Sequence, residues 1–335
     1  MSLTQRSLYL LLFGALVLLV YLAVYPRARI FTLDIDTEVV SFVVANPLYS
    51  QWDLTGTSVS TDPFSLDEEA IGEGAVLLLN PGVQVEIQRH GVGDVFVRLA
   101  CEGGSVGEID ALGEQPNPLG PWALLRFRPE TRPVVLSFRG YISVGEDVAS
   151  QVDSLLLGGS VSIIEEKFLG RGHYTAGEEA LDTGDRVQLW RRGADEGDAM
   201  LLRSSACGNL ETVLRSEKDS RLLASRVDGF VRGEPESFSE AVNALQMVAH
   251  GAADFARVER LGSGGYDVRA PLLYRFLYDP MLAVLVAILG ALTIFSELLG
   301  GIRELGDRDT PSRRTQATAA LRQRMKRSNR HRDIN

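Results

Sequence analysis

The chain has 335 residues, 45% of them hydrophobic, and a formal net charge of −10 at neutral pH. That length admits one large domain or two smaller ones, and the acidity argues against nucleic acid or anionic lipid as a partner of the main body. The averages conceal a segregation, because apolar residues gather at both ends, in 7–25 and 281–299, each close to the roughly 20 residues that span a hydrocarbon core.

In chain order, a short leader (1–6) containing Arg6 precedes the first apolar run. The run is longer than a signal-peptide core, and the following "YLAVYPRAR" offers no small-x-small cleavage site, so 7–25 reads as an uncleaved transmembrane helix. The segment "FTLDIDTEVVSFVV" comes next. Leu33, Ile35, Thr37 and Val39 alternate with Asp34, Asp36 and Glu38, the period of a half-buried strand. "GVQVEIQRHGVGDVFVRLAC" reads as a hairpin turning at Gly91–Gly93, "PWALLRFRPETRPVVLSFRGYISV" as another around Pro129–Pro133, "DRVQLWRRGADEGDAMLLRSS" as a third and "ETVLRSEKDSRLLASRV" as a fourth. Successive hairpins predict a mainly β fold, an antiparallel β-sandwich or jelly-roll-like arrangement between the two spans. The segment "SQVDSLLLGG" follows one apparent meander and precedes a second, which suggests two β subdomains, 26–150 and 151–278.

One short helix is predicted near 237–250. Ser237 and Glu240 form a capping box, Phe238, Val242, Leu245 and Val248 share a helical face, and Gly251 offers a stop. After strand-like "ADFARVERL" and "YDVRAP", Tyr274, Arg275, Phe276 and Tyr278 suit the lipid headgroup level as interface anchors. The second transmembrane helix is predicted over 279–300. The tail 301–335 carries about ten Lys or Arg and is therefore cytoplasmic. Both termini then lie in the cytoplasm, and the intervening domain, with a net charge near −16, lies in the periplasm or outside the cell. Three lysines against some thirty arginines point to a GC-rich bacterium, and the inner membrane is the expected location.

Candidate chemistry is sparse. Cys101 and Cys207, without CxxC or metal-ligand spacing, are either one disulfide or two buried thiols. Asp34, Asp36 and Glu38 share a strand face that a loop would have to complete into a calcium site, and Asp67, Glu68 and Glu69 form an acidic loop. His90, His173 near Glu178 and Glu179, and His250 lack a nucleophile motif or a paired partner. Trp52, Trp122 and Trp190 with Tyr49, Tyr141 and Tyr174 are the residues a glycan would stack on, but they do not cluster in sequence, so glycan binding has no support at this level. Glu297 lies about 25 Å along the second helix, near its cytoplasmic boundary. There it is either a boundary residue or an intramembrane functional acid.

The sequence therefore predicts a non-enzymatic, two-pass membrane protein without cofactor or metal. It would serve as a structural or adaptor subunit of an envelope complex, binding membrane lipids and either another membrane or envelope protein or copies of itself. The alternative is a homo-oligomeric channel lined by the second span.

Overall fold

A computed structural model describes residues 13–17, 20–21, 29–64, 68–89, 93–111, 115–129, 132–145, 156–167, 172–193, 207–208, 210, 214–216, 219–235, 244–260, 265–269, 271 and 278–309. The chain forms strands β1 (Arg29–Thr37), β2 (Val39–Val44), β3 (Gln51–Asp53), β4 (Thr57–Ser60), β5 (Glu69–Ala70), β6 (Val76–Leu79) and β7 (Gln84–Gln88). It continues through β8 (Val95–Ala100), β9 (Gly107–Asp110), β10 (Asn117–Pro118), β11 (Trp122–Phe127), β12 (Val134–Val144), β13 (Leu156–Glu166) and β14 (His173–Leu181). The last strands are β15 (Arg186–Arg192), β16 (Leu222–Ala224), β17 (Arg226–Gly233), β18 (Leu245–Ala252), β19 (Phe255–Glu259) and β20 (Tyr266–Val268), followed by helix α1 (Pro280–Asp309). The protein is mainly β, and all its pairings among the described residues are antiparallel.

The alternation read from the sequence sets the inward face. In β1, Phe31, Leu33, Ile35 and Thr37 are fully buried while Asp34 is exposed, as the two-residue period of a strand requires. The sheet runs β14-β13-β1-β18-β17-β12-β2-β7-β8-β11-β4-β5, with β15, β16, β19 and β20 attached beside β12, and a second small sheet orders β10-β9-β6-β3. The expected hairpin β7–β8 forms, and the strand-like segments after it at 255–259 and 266–268 pair as β19 and β20. The arm of the third hairpin over 194–206 lies outside the described residues.

Three expectations are corrected. The segment 245–250 is strand β18, not helix; Leu245, Met247 and Ala249 point inward between β1 and β17. Two registered neighbours satisfy its backbone along both edges, which outweighs a local helical spacing. The capping box at Ser237 and Glu240 lies outside the described residues. Strands β11 and β12 do not form a hairpin: β11 pairs with β8 and β4, and β12 with β17, β2 and β15. Finally, strands from either side of residue 150 interleave, with β1 between β13 and β18, so no boundary between separate sheets lies there. Residues Pro26–Asp279 form one compact unit.

Strand β12 links the two halves of this unit. Its first part pairs with β17 and its second with β2 and β15. Gly140 sits at the change, where a Cβ would come 2.3 Å from the Val43 carbonyl oxygen, so only glycine admits this approach of the backbones. Beneath it, Phe42 stacks on Phe138 with ring centroids 4.6 Å apart and meets Trp52 edge-on at 6.5 Å. The indole N–H of Trp52 donates to the Ser137 carbonyl at 2.8 Å, which makes burial of this large side chain tolerable.

Residues Met1–Tyr25 and Pro280–Asn335 group as a second unit. Its described parts are helical at 13–17, 20–21 and along α1. Among the described residues no helix is long and apolar enough to cross a membrane.

Candidate functional site: a strapped cleft on the sheet

Cross-strand register builds a continuous polar row on the outer face of the large sheet. Arg98 of β8 stands opposite Glu86 of β7, which stands opposite Ser41 of β2. Ser41 faces Ser143 of β12, and Ser143 faces Gln188 of β15. The row continues through Arg257 of β19 to Asp267 of β20. Directly opposed residues share a sheet face, so the five groups from Arg98 to Gln188 form one surface although they lie far apart in the chain. The neighbouring row, Ala100, Gln84, Val43 and Tyr141, is built in the same way.

The described residues of 207–224 form a strap over the second row. Cys101, which follows β8, is bonded to Cys207, closing a sequence separation of 106 residues. From this tether Leu210, Leu214 and Leu223 pack on Val43 and Tyr141 as a small apolar cluster distinct from the main core. Strand β16 fastens the far end of the strap to β15, with Ala224 opposite Trp190. Between strap and sheet lies a cavity of about 190 Å³. Ser41, Ser143, Gln84 and Gln188 give it neutral hydrogen-bonding groups, and Trp190, Tyr141 and Leu214 give it apolar walls.

Its charged groups are already matched. Arg98 and Glu86 pair at 3.1 Å at the rim. Inside, Ser143 Oγ accepts from Gln188 Nε2 at 3.4 Å and from Arg186 Nε at 3.5 Å. Both contacts are at the long limit of hydrogen bonding.

The residues singled out in the sequence are mostly dispersed. Asp34 and Asp36 lie on β1; burial and then the Asp34 charge raise the Asp36 carboxyl above its ordinary value. Among the described residues no group of three potential ligands is positioned to hold a metal. Asp67 and His90 lie outside the described residues, whereas Glu68 accepts from the Ser58 hydroxyl at 2.7 Å and pairs with Arg126, and Glu69 begins β5. His173 opens β14, well before Glu178 and Glu179 on the same strand. Glu179 instead accepts from the Tyr266 hydroxyl at 2.8 Å, and burial together with that bond pushes Tyr266 up to about 12, so it is a neutral donor at physiological pH. His250 stands opposite Asp228, whose carboxyl is held below the usual range mainly by a hydrogen bond from Arg139.

Of the aromatic residues, Trp52 and Tyr141 are buried and Tyr49 carries the Arg139 guanidinium 4.0 Å above its ring. Trp190, Tyr141 and the bonded cysteines come together at the cleft. The serines and glutamines of its floor carried no signal in the sequence beyond outward positions on alternating strands. Tyr274, Arg275 and Phe276 lie outside the described residues, and Glu297 is exposed on α1. No protein-family model, curated protein or solved structure matches the chain.

Proposed function

We propose that the protein is a non-enzymatic adaptor subunit of a bacterial envelope complex, held in the inner membrane by its two apolar ends and presenting the β unit outside the cytoplasm. The observation that carries this reading is the convergence of the two ends of the β unit. Arg29, the first residue of β1, gives its Nε–H to the fully buried Glu165 at 3.1 Å. Glu165 also accepts from the Tyr174 hydroxyl at 3.0 Å. Tyr278, at the opposite end of the unit, lines a hollow with that same Tyr174 and with Thr175 and Glu178 of β14. Arg29 and Tyr278 thus both lie near Tyr174, an arrangement that suits two anchors in one membrane.

The terminal segments add a second support. Phe13, Leu16 and Tyr21 in the first, and Val284, Ile288, Ile294, Phe295 and Leu298 around α1, expose apolar side chains that water would not favour. A bonded cysteine pair also suits an oxidising compartment.

The experiment is gentle extraction from the native membrane followed by the mass of the intact complex and identification of every chain in it. A stoichiometric foreign subunit supports the adaptor reading. A lone monomer, with no partner retained after mild crosslinking, contradicts it, and a closed ring of identical chains replaces it with a pore near whose inner mouth Glu297 lies. Protease accessibility of the tail in spheroplasts and in inverted vesicles tests the topology separately.

A further inference from the structure

We infer that the strapped cleft is a binding site for one neutral sugar ring, and that the Cys101–Cys207 bond holds the site in shape. The inference is independent of the adaptor reading, since it concerns only the outer face of the β unit.

The lining sets the chemistry. Ser41, Ser143, Gln84 and Gln188 present hydroxyl and amide groups, each able both to donate and to accept. Among the described residues the two charges of the lining, Arg98 and Glu86, neutralise each other at 3.1 Å, and Arg186, which reaches Ser143 Oγ from beside the cleft, is paired with Glu259 at 3.9 Å. A charged ligand entering here finds no uncommitted counter-charge and loses its hydration. A purely apolar ligand displaces water from these hydroxyl and amide groups without replacing its hydrogen bonds, at a comparable cost. A ring carrying several hydroxyls on one side and C–H groups on another satisfies both walls: its hydroxyls meet the polar floor, and its apolar patch meets Trp190, Tyr141 and Leu214.

The size sets the number of rings. A space of about 190 Å³ is below the usual range of roughly 300–1,000 Å³ for drug-sized ligand pockets, so the cleft suits a single ring. The long contacts to Ser143 Oγ, 3.4 Å from Gln188 and 3.5 Å from Arg186, are ones a ligand hydroxyl can replace without loss.

The strap sets the control. Leu214 belongs to the covering side of the cavity, and Ala100, on its floor, directly precedes Cys101. Breaking the tether frees one end of the segment that carries Leu214, while β2 keeps its pairings with β7 and β12.

The test uses the full chain in lipid nanodiscs, which avoids sugar-based detergents. Saturation-transfer NMR is recorded with glucose, galactose and N-acetylglucosamine as probes, and with glucuronate and glucosamine as charged counterparts. At least one neutral sugar is expected to give a saturable signal, with both charged compounds weaker. Ser143→Val and Gln188→Leu are each expected to weaken binding about tenfold, the equivalent of about 1.4 kcal/mol, without moving the urea midpoint by a comparable amount. Reduction of the disulfide, or Cys101→Ala with Cys207→Ala, is expected to weaken it as well. Absence of saturable binding by all three neutral sugars overturns the inference. So does equal or tighter binding of the charged pair, or binding that neither the floor variants nor reduction alters.

Discussion

Leu33 and Leu298 are the same side chain in opposite surroundings. The first is fully buried between strands β13 and β18, and the second is 59% exposed on α1. In the strands of the β unit most large apolar residues face inward on alternate positions, whereas many of those described in the terminal segments face outward on several sides. The contrast separates two ways of placing apolar surface. A sheet hides one face against its own chain, while a helix that is apolar all round relies on its surroundings to cover it.

The largest expected effect follows from that contrast. Trp52→Ala should lower the stability of the β unit by about 3–5 kcal/mol, because a large, fully buried ring leaves a cavity, whereas Leu298→Ala should change it by less than about 0.5 kcal/mol. Urea unfolding followed by the signal of the remaining tryptophans compares the two. Similar losses in both would break the distinction between the regions.

The disulfide comes next. Replacing both cysteines by alanine should cost about 2–4 kcal/mol through the long loop released in the unfolded chain. Loss of protection from hydrogen exchange should concentrate at the described strap residues and at β16. A uniform loss over the whole sheet would make the tether part of the core and not a strap on its outside.

The entry corner should respond less. Glu165→Leu removes the buried acceptor of Arg29 and Tyr174. Because Arg29 is a quarter exposed and regains water, the loss should be about 1–3 kcal/mol. If the corner fixes where the chain enters the β unit, limited proteolysis should accelerate near residue 29 before anything changes at β7 and β8.

The smallest effects concern two acids with opposite signs. Asp228 has a folded-state pKa lowered mainly by the Arg139 hydrogen bond. Its contribution is present above the ordinary carboxylate pKa and is lost as pH falls through the depressed value. Asp36 is raised, by burial first and Asp34 second, so its contribution is present at low pH and is lost as pH rises through the raised value. At pH 7, Asp228→Asn should lower the urea midpoint slightly and Asp36→Asn should raise it slightly, and both differences should shrink on acidification. Shifts of the same sign would contradict the environments assigned to these two strands.

Alternation made β1, β7, β8, β15 and β19 legible, because a two-residue period reports a face whatever the partner is. The same local reading failed at β18, where "LQMVAHGA" fits either a strand or the end of a helix, and it failed at β11 and β12, which adjoin in sequence without pairing. The site was less legible still. Ser41, Glu86, Arg98, Ser143 and Gln188 become neighbours through four separate registers, and none of the five is unusual in its own segment.

By itself, then, the sequence determined the polar, strand-rich middle, the apolar ends and the periodicity of most strands, because these properties belong to residues a few positions apart. Only the tertiary structure decided that β1 lies between β13 and β18, that Cys101 meets Cys207, and that a polar row runs beside the row that the strap covers. Each of these depends on pairing strands distant in the chain, and pairing is selected by the free energy of the whole sheet and not by any one segment.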